Sequence, residues 1–90
     1  MTTFPTVHLN GTSREALLEG YIDCVNAVRH AIEVCQKNGP NARDYYVITG
    51  SDGTVDAVSA AMTEHEARLE KLEAVLAELR EIGEHVAGLD

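Results

Sequence analysis

The chain contains two long stretches in which apolar residues recur at alternating steps of four and three. In the first stretch this seam is formed by Leu17, Tyr21, Cys24, Val28, Ala31 and Cys35, and its face is widened by Leu18, Ile22, Val25 and Ile32. In the second stretch the seam is formed by Val58, Met62, His65, Leu69, Leu72, Leu76, Leu79, Gly83 and Val86. Such steps place side chains on one side of an α-helix, so the pattern predicts two amphipathic helices.

Capping and helix-breaking residues set the expected boundaries of these helices. Thr12 and Glu15 have the spacing of a capping box, and Gly39 followed by Pro40 suits a left-handed C-terminal cap. The expected fold is all-α: an antiparallel helical hairpin with a short extended N-terminal segment and a long inter-helix loop. Within a single domain over 1–90, we expect an extended arm over 1–11, helix 1 over 12–38, a loop over 39–54 and helix 2 over 55–88.

The second predicted helix is the longer one, and its apolar face continues along a flank formed by Val75, Ile82 and Leu89. A single hairpin leaves this stripe uncovered, and a contiguous exposed apolar patch is typical of an interface. We therefore expect the hairpins to assemble into a homo-oligomeric helical bundle, of which a four-helix dimer is the simplest form.

Charge and cysteine spacing limit the classes of partner. Seven Lys and Arg against fifteen Asp and Glu give a formal charge of −8, which argues against binding of a nucleic acid polymer. Cys24 and Cys35 are eleven residues apart in one predicted helix, roughly 16 Å along its axis, so we expect two reduced, buried thiols. The sequence shows neither an apolar run that spans a bilayer nor a signal peptide, so we expect a cytoplasmic protein without membrane contact.

The sequence carries no pattern typical of an enzyme or a metal site. No two of the four histidines have the three- or four-residue spacing of helical metal ligands. The segment TGSDGT is rich in turn formers but lacks the lysine and the spacing of a P-loop. We therefore expect no catalysis, no cofactor and no metal. His65 is the one histidine on an apolar seam, and it is expected either to be a hydrogen-bonded core residue or to bond across an oligomer axis.

Two short segments predict a ligand-binding site. The start of helix 1 offers free backbone N–H groups and the positive end of the helix dipole, as in small anion sites. The segment NARDYY adds an arginine and two tyrosines, a combination by which proteins hold phosphates and bases. A structural alternative is that the tyrosines close the hairpin end while Arg43 pairs with Asp44. The candidate ligand-binding residues are His8, Asn10, Thr12, Ser13, Arg14, Arg43, Tyr45 and Tyr46.

The segments HLNGTSREALLEGY, NARDYY and EHEARLEKLEAVLAELREI resemble small proteins encoded by tailed phages and prophages, whereas VITGSDGTVDA departs from them. This resemblance covers most of the chain and implies a phage accessory protein without an assigned active site. The plan of a short helical chain that oligomerises around ligand pockets is similar to phage sponge proteins, which sequester nucleotide signals of bacterial immunity.

These observations lead to two expected functions. The first is a non-enzymatic protein that sequesters a small nucleotide-like immune signal in the host cytoplasm. In an oligomer, its sites would be formed by the N-terminus of helix 1 and by the NARDYY segment, Asn41 to Tyr46, which is called the tyrosine loop below. The second is a structural or adaptor phage protein whose loop contacts another protein, because tyrosine and arginine also dominate protein interfaces.

Overall fold

Two α-helices of unequal length pack against each other as an antiparallel hairpin in the computed structural model of the chain. The structure describes residues 2–45 and 50–89, with the backbone alone described over 50–56. The helices are α1, Arg14–Lys37, and α2, Gly50–Ala87, and a 3₁₀ turn, Ala42–Asp44, lies between them. The predicted all-α helical hairpin is confirmed, and the described residues contain no strand.

The cap at the start of α1 is Ser13. Its backbone is extended, and its hydroxyl accepts a hydrogen bond from the N–H of Ala16 at 3.2 Å. The predicted capping box of Thr12 and Glu15 is wrong, because the helix begins one residue later and alanine then occupies the third helical position.

The end of α1 is capped by Asn38. Its backbone N–H donates to the carbonyl oxygens of Val34 and Cys35, each at 3.2 Å, and its side-chain amide donates to Val34 at 2.8 Å. Gly39 lies outside the left-handed region of backbone conformation. The predicted glycine cap is therefore wrong, because Asn38 already satisfies the terminal carbonyls that such a cap would serve.

The N-terminal part of α2 projects beyond α1. α2 has 38 residues against 24 in α1, and it begins at Gly50, so residues 50–54 are helical although we predicted a loop there. A Cβ at Gly83 would lie 3.7 Å from the Cβ of Tyr21, and one at Gly39 would lie 3.4 Å from the ring of His65. α1 therefore runs beside the C-terminal part of α2. Residues 46–49 of the predicted loop lie outside the described residues.

The core of one hairpin is thin. Among the side chains that the structure describes, only Ile32, Leu76 and Val86 are buried. Most of the predicted α2 seam is half-buried, as expected for a face covered by one neighbouring helix, whereas Met62 is 48 % exposed. Val75, on the flank, is 44 % exposed.

The buried side of α1 matches the predicted seam except at Cys24, and its most buried residue, Ile32, belongs to the row that widens the seam. Leu18 and Val25 are half-buried in line with buried Ile32, whereas Cys24 is exposed and Cys35 is half-buried. The prediction that Cys24 is buried is wrong, because it lies about 100° around the helix from Val25 and so at the edge of the contact with α2.

The hairpin is elongated and exposes much surface. It measures 65 × 23 × 18 Å, with a radius of gyration of 19.5 Å, against about 12 Å for a compact chain of this length. Its accessible surface is 6647 Å², about 1,500 Å² more than a compact monomer of the same mass exposes. Among the described residues, neither helix has an apolar stretch long enough to cross a membrane.

Candidate binding site

The N-terminus of α1 retains two unused backbone donors. The N–H of Ala16 donates to the Ser13 hydroxyl, and the N–H of Leu17 donates to the Ser13 carbonyl at 2.9 Å. Within the described part of the chain, the backbone N–H groups of Arg14 and Glu15 have no acceptor. A small anion is a suitable acceptor for both, because these groups also lie at the positive end of the helix dipole.

Arg14 connects this end of α1 to the end of α2. Its Nη2 donates to the carbonyl oxygen of Ala87 at 2.7 Å, and its Nη1 lies 3.8 Å from a carboxylate oxygen of Glu15. Its Nε is buried, and no described residue accepts a hydrogen bond from it. The guanidinium therefore caps the last turn of α2, where carbonyl groups lack helical partners.

The N-terminal arm folds back beside the same end. The ring of Phe4 stacks on the ring of His85, with centroids 4.6 Å apart and planes 12° from parallel. The N–H of Gly11 donates to the carbonyl of His8 at 3.1 Å, and the His8 ring lies so close that a Cβ at Gly11 would be 2.7 Å from its Nε2. This end of the hairpin thus collects five of the candidate residues, His8, Asn10, Thr12, Ser13 and Arg14, of which all but Arg14 are exposed.

The tyrosine loop presents its own candidates at the other end. Asn41 accepts a hydrogen bond from the N–H of Arg43 at 3.0 Å through its side-chain oxygen, which starts the 3₁₀ turn. The N–H of Tyr45 donates to Ala42 at 3.1 Å and closes the turn. Arg43 is exposed and Tyr45 is half-buried.

Two expectations about this loop have separate outcomes. In the described part of the chain, Arg43 and Asp44 form no ion pair, so the pairing proposed in the structural alternative is not found. Tyr46 lies outside the described residues, and its place in the site stays a prediction.

One chain does not bring the two groups of candidates together. They lie at opposite ends of α1, which has 24 residues and is therefore roughly 36 Å long. A site that uses both the N-terminus of α1 and the tyrosine loop needs residues from two copies of the chain.

His65 lies near the tyrosine loop and has an internal partner. Its Nε2 is 2.9 Å from the carbonyl oxygen of Cys35, in the last turn of α1. The expectation that His65 is hydrogen-bonded within the hairpin is confirmed, and this contact joins α2 to the last turn of α1. The alternative of a bond across an oligomer axis stays a prediction.

A groove that was not predicted from the sequence lies between α1 and α2. Two cavities of about 360 and 410 Å³ adjoin there and share Arg80. The charged residues of the groove are Arg29, Glu33, Glu73, Arg80 and Glu84. The spacing of Glu73 and Arg80 could have indicated charged residues along this groove. Residues seven apart lie on one side of a helix, and these two lie beside the apolar seam.

Within the described residues, no group of three or more His, Cys, Asp or Glu side chains is placed to hold a metal ion. Comparison with known proteins found no matching family model, no matching curated protein and no matching solved structure.

Proposed function

We propose that this chain is a phage-encoded binding protein that sequesters a small nucleotide-like signal of bacterial immunity in the host cytoplasm, without catalysis. Each site is formed in a homo-oligomer by the α1 N-terminus of one copy and the tyrosine loop of another. The two halves supply complementary chemistry. The N-terminus of α1 offers hydrogen-bond donors for a phosphate, and the tyrosine loop offers the ring of Tyr45 and the charge of Arg43.

The observation that carries this proposal is the exposure of both halves at opposite ends of one thin hairpin. His8, Asn10 and Thr12 are exposed beside the free N–H groups of α1, and Arg43 is exposed beside Tyr45. Among the described residues, His8, Asn10, Thr12 and Arg43 are left exposed, and the excess surface of the hairpin favours a second copy that covers both halves.

The chemistry of the two halves favours a compact anion with a flat ring. Two backbone N–H groups at a helix N-terminus suit a phosphate, and a tyrosine next to an arginine suits a nucleobase. The formal charge of −8 disfavours a long polyanion but leaves room for a ligand held by a few local donors.

Native mass spectrometry of the protein purified from bacteria tests this proposal. A nucleotide that is released on denaturation, and a melting temperature that rises with cyclic dinucleotides or ADP-ribose derivatives, are the expected results. If no nucleotide is released and no member of such a panel raises the melting temperature, the ligand-binding proposal fails.

A structural or adaptor role is the second proposal, and the N-terminal arm favours it. Phe4, Val7 and Leu9 are 39, 37 and 98 % exposed, respectively, and three large apolar side chains so close in sequence suit a protein contact. A phage protein that is retained by the immobilised wild-type chain, and lost with Leu9→Ser or Arg43→Glu, supports this role.

A further inference from the structure

We propose that the groove between α1 and α2 is an interface with a second copy of the chain, packed antiparallel to the first. The two-fold axis passes beside Leu76 and Ala77 of α2. This inference rests on the proposed function in one respect, since it supplies the neighbouring copy that each ligand site requires.

The floor of the groove is apolar and incompletely covered. Leu18, Val25 and Leu79 line it and are half-buried, and Ile22 lines it while 50 % exposed. The groove extends past Leu76, a buried side chain of α2 that lies level with the middle of α1. A helix laid along this groove would remove these side chains from water.

The exposed area of the hairpin fits one partner of similar size. The excess of about 1,500 Å² over a compact monomer exceeds the roughly 800 Å² that each partner contributes to a standard interface. A second hairpin supplies two helices, and both are long enough to lie along the α1–α2 contact, since the shorter one has 24 residues.

The charges along α2 are self-complementary when a copy is reversed. Glu73 and Arg80 both line the groove, are exposed and lie seven residues apart. Glu73 has no basic residue three or four positions away on its own helix. When two α2 helices cross antiparallel at Leu76 and Ala77, Glu73 of each copy faces Arg80 of the other, as an isologous two-fold contact requires.

Among the described side chains, neither of these two residues forms an ion pair within the chain, although Glu84 lies four residues from Arg80 and Arg29 lines the same cavity as Glu73. If the two α2 helices instead packed parallel along a two-fold axis, Glu73 would face Glu73 and Arg80 would face Arg80. Like charges facing each other are costly in an interface, so a contact between the two α2 helices favours the antiparallel orientation.

The same axis also suits α1. The contacts of Tyr21 with Gly83 and of Cys35 with His65 place Asn26 level with Leu76 and Ala77, near the middle of α1. Asn26 lines the groove and is exposed. Asn26 of one copy therefore faces Asn26 of the other, and the two side-chain amides can each donate a hydrogen bond to the other's oxygen.

Reversal about the middle of α1 exchanges the ends of the hairpin. It brings the Arg43 and Tyr45 loop of one copy alongside the α1 N-terminus of the other, at both ends of the dimer. The antiparallel interface thus joins the two halves of the proposed binding site, which lie roughly 36 Å apart in one chain.

Charge reversal in the full-length protein tests the interface. Arg80→Glu and Glu73→Arg each place like charges opposite each other twice per dimer, and each is expected to raise the dimer dissociation constant at least about tenfold. The double variant restores opposite charges across the axis, and it is expected to return the dissociation constant to the wild-type value. Sedimentation velocity over a concentration series measures all four proteins, and circular dichroism verifies that each is helical.

Lys71 and Glu78 provide a matched control, because they are also exposed and seven residues apart but do not line the groove. Lys71→Glu and Glu78→Lys are expected to leave the dissociation constant unchanged. As a test of orientation, Ala77→Cys in a Cys24→Ser, Cys35→Ser background should form a disulfide-linked dimer on oxidation, whereas Glu66→Cys should not.

A monomeric wild-type protein, a single reversal without effect, or a double variant that stays dissociated overturns the interface. Nucleotide binding is measured separately by thermal melts of the wild type. Rescue by the double variant without nucleotide binding leaves the interface standing and ends the proposed function. Nucleotide binding without charge rescue keeps the proposed function and rejects this interface.

Discussion

The Nε2 atom of His65 lies 2.9 Å from the carbonyl oxygen of Cys35, so a side chain of α2 caps the last turn of α1. The converse contact occurs at the other end, where Arg14 of α1 donates to the carbonyl of Ala87, the last residue of α2. These two hydrogen bonds join the helices at both ends of their contact. They fix how far α2 is displaced along α1 and hence which part of α2 projects.

Removal of the His65 ring should destabilise the hairpin. His65→Ala deletes the hydrogen bond to Cys35 and the contact of the ring with Gly39, with an expected loss of about 1 kcal/mol in the free energy of unfolding. A melting temperature lower by roughly 4–8 °C is expected for a chain of this size. The control is His30→Ala, because His30 is exposed. Equal melting temperatures for the two variants, at one protein concentration, would contradict a capping role for His65.

Loss of the Arg14 cap should loosen the end of α2. Arg14→Met keeps an apolar side chain of similar length but removes the donor to Ala87, so the amides of Gly88 and Leu89 should exchange with solvent faster. The expected loss of stability is about 1 kcal/mol, because a hydrogen bond from a charged group is weakened here by partial exposure. Arg68→Met, at an exposed position of α2, is the control. Unchanged exchange at both amides in Arg14→Met would show that the guanidinium does not cap α2.

Sequence periodicity predicted both helices and their antiparallel packing, but not which row of α1 side chains is buried most deeply. Two rows of apolar residues in α1 can each be combined with Tyr21, Val28 and Cys35 to give alternating steps of four and three. One row is Leu17, Cys24 and Ala31, and the other is Leu18, Val25 and Ile32. Contact with α2 buries Ile32 of the second row most deeply and leaves Cys24 of the first row exposed, because the larger side chains of the second row remove more apolar surface from water.

The candidate site was predicted in part for similar reasons. Thr12 and Ser13 are both good caps, and sequence alone does not choose between them. The sequence identified the two chemically suitable segments but not the partner of Arg14, because the carbonyl of Ala87 approaches it only through the register of the hairpin. In the sequence, Glu73 and Arg80 are typical of the solvent-exposed face of a helix. Only the packing of α1 against α2 shows that they line a cavity.

The two cysteines should differ in reactivity. Cys24 is exposed and lies beside Ala16 and Gly20, away from the groove, whereas Cys35 is half-buried. One thiol per chain should therefore react rapidly in the native protein and the second only slowly, in contrast to the sequence prediction of two protected thiols. Mass spectrometry after brief exposure to a thiol reagent counts the modified groups, and Cys24→Ser should abolish the rapid phase. If the oligomer protects Cys24 from the reagent, the interface includes the side of α1 that carries Cys24, which contradicts an interface on the groove side.

The proposed binding site should show complementation between two inactive variants. Thr12→Glu adds a carboxylate beside the free N–H groups of α1, and Arg43→Glu reverses the charge in the tyrosine loop. Both residues are exposed, so each variant should stay folded and bind no ligand. A heterodimer of the two variants has one doubly altered site and one site that is fully wild type, because each site takes its halves from different copies.

Mixing the two variants in equal amounts, after denaturation and refolding together, should restore about a quarter of the wild-type sites, because half of the dimers are then heterodimers with one intact site each. Isothermal titration with a nucleotide that binds the wild type measures the number of sites, and the restored sites should have wild-type affinity. The double variant Thr12→Glu, Arg43→Glu, mixed with itself, is the control and should restore none. If the mixture of single variants also stays inactive although heterodimers are present, the two halves do not form a site across the interface.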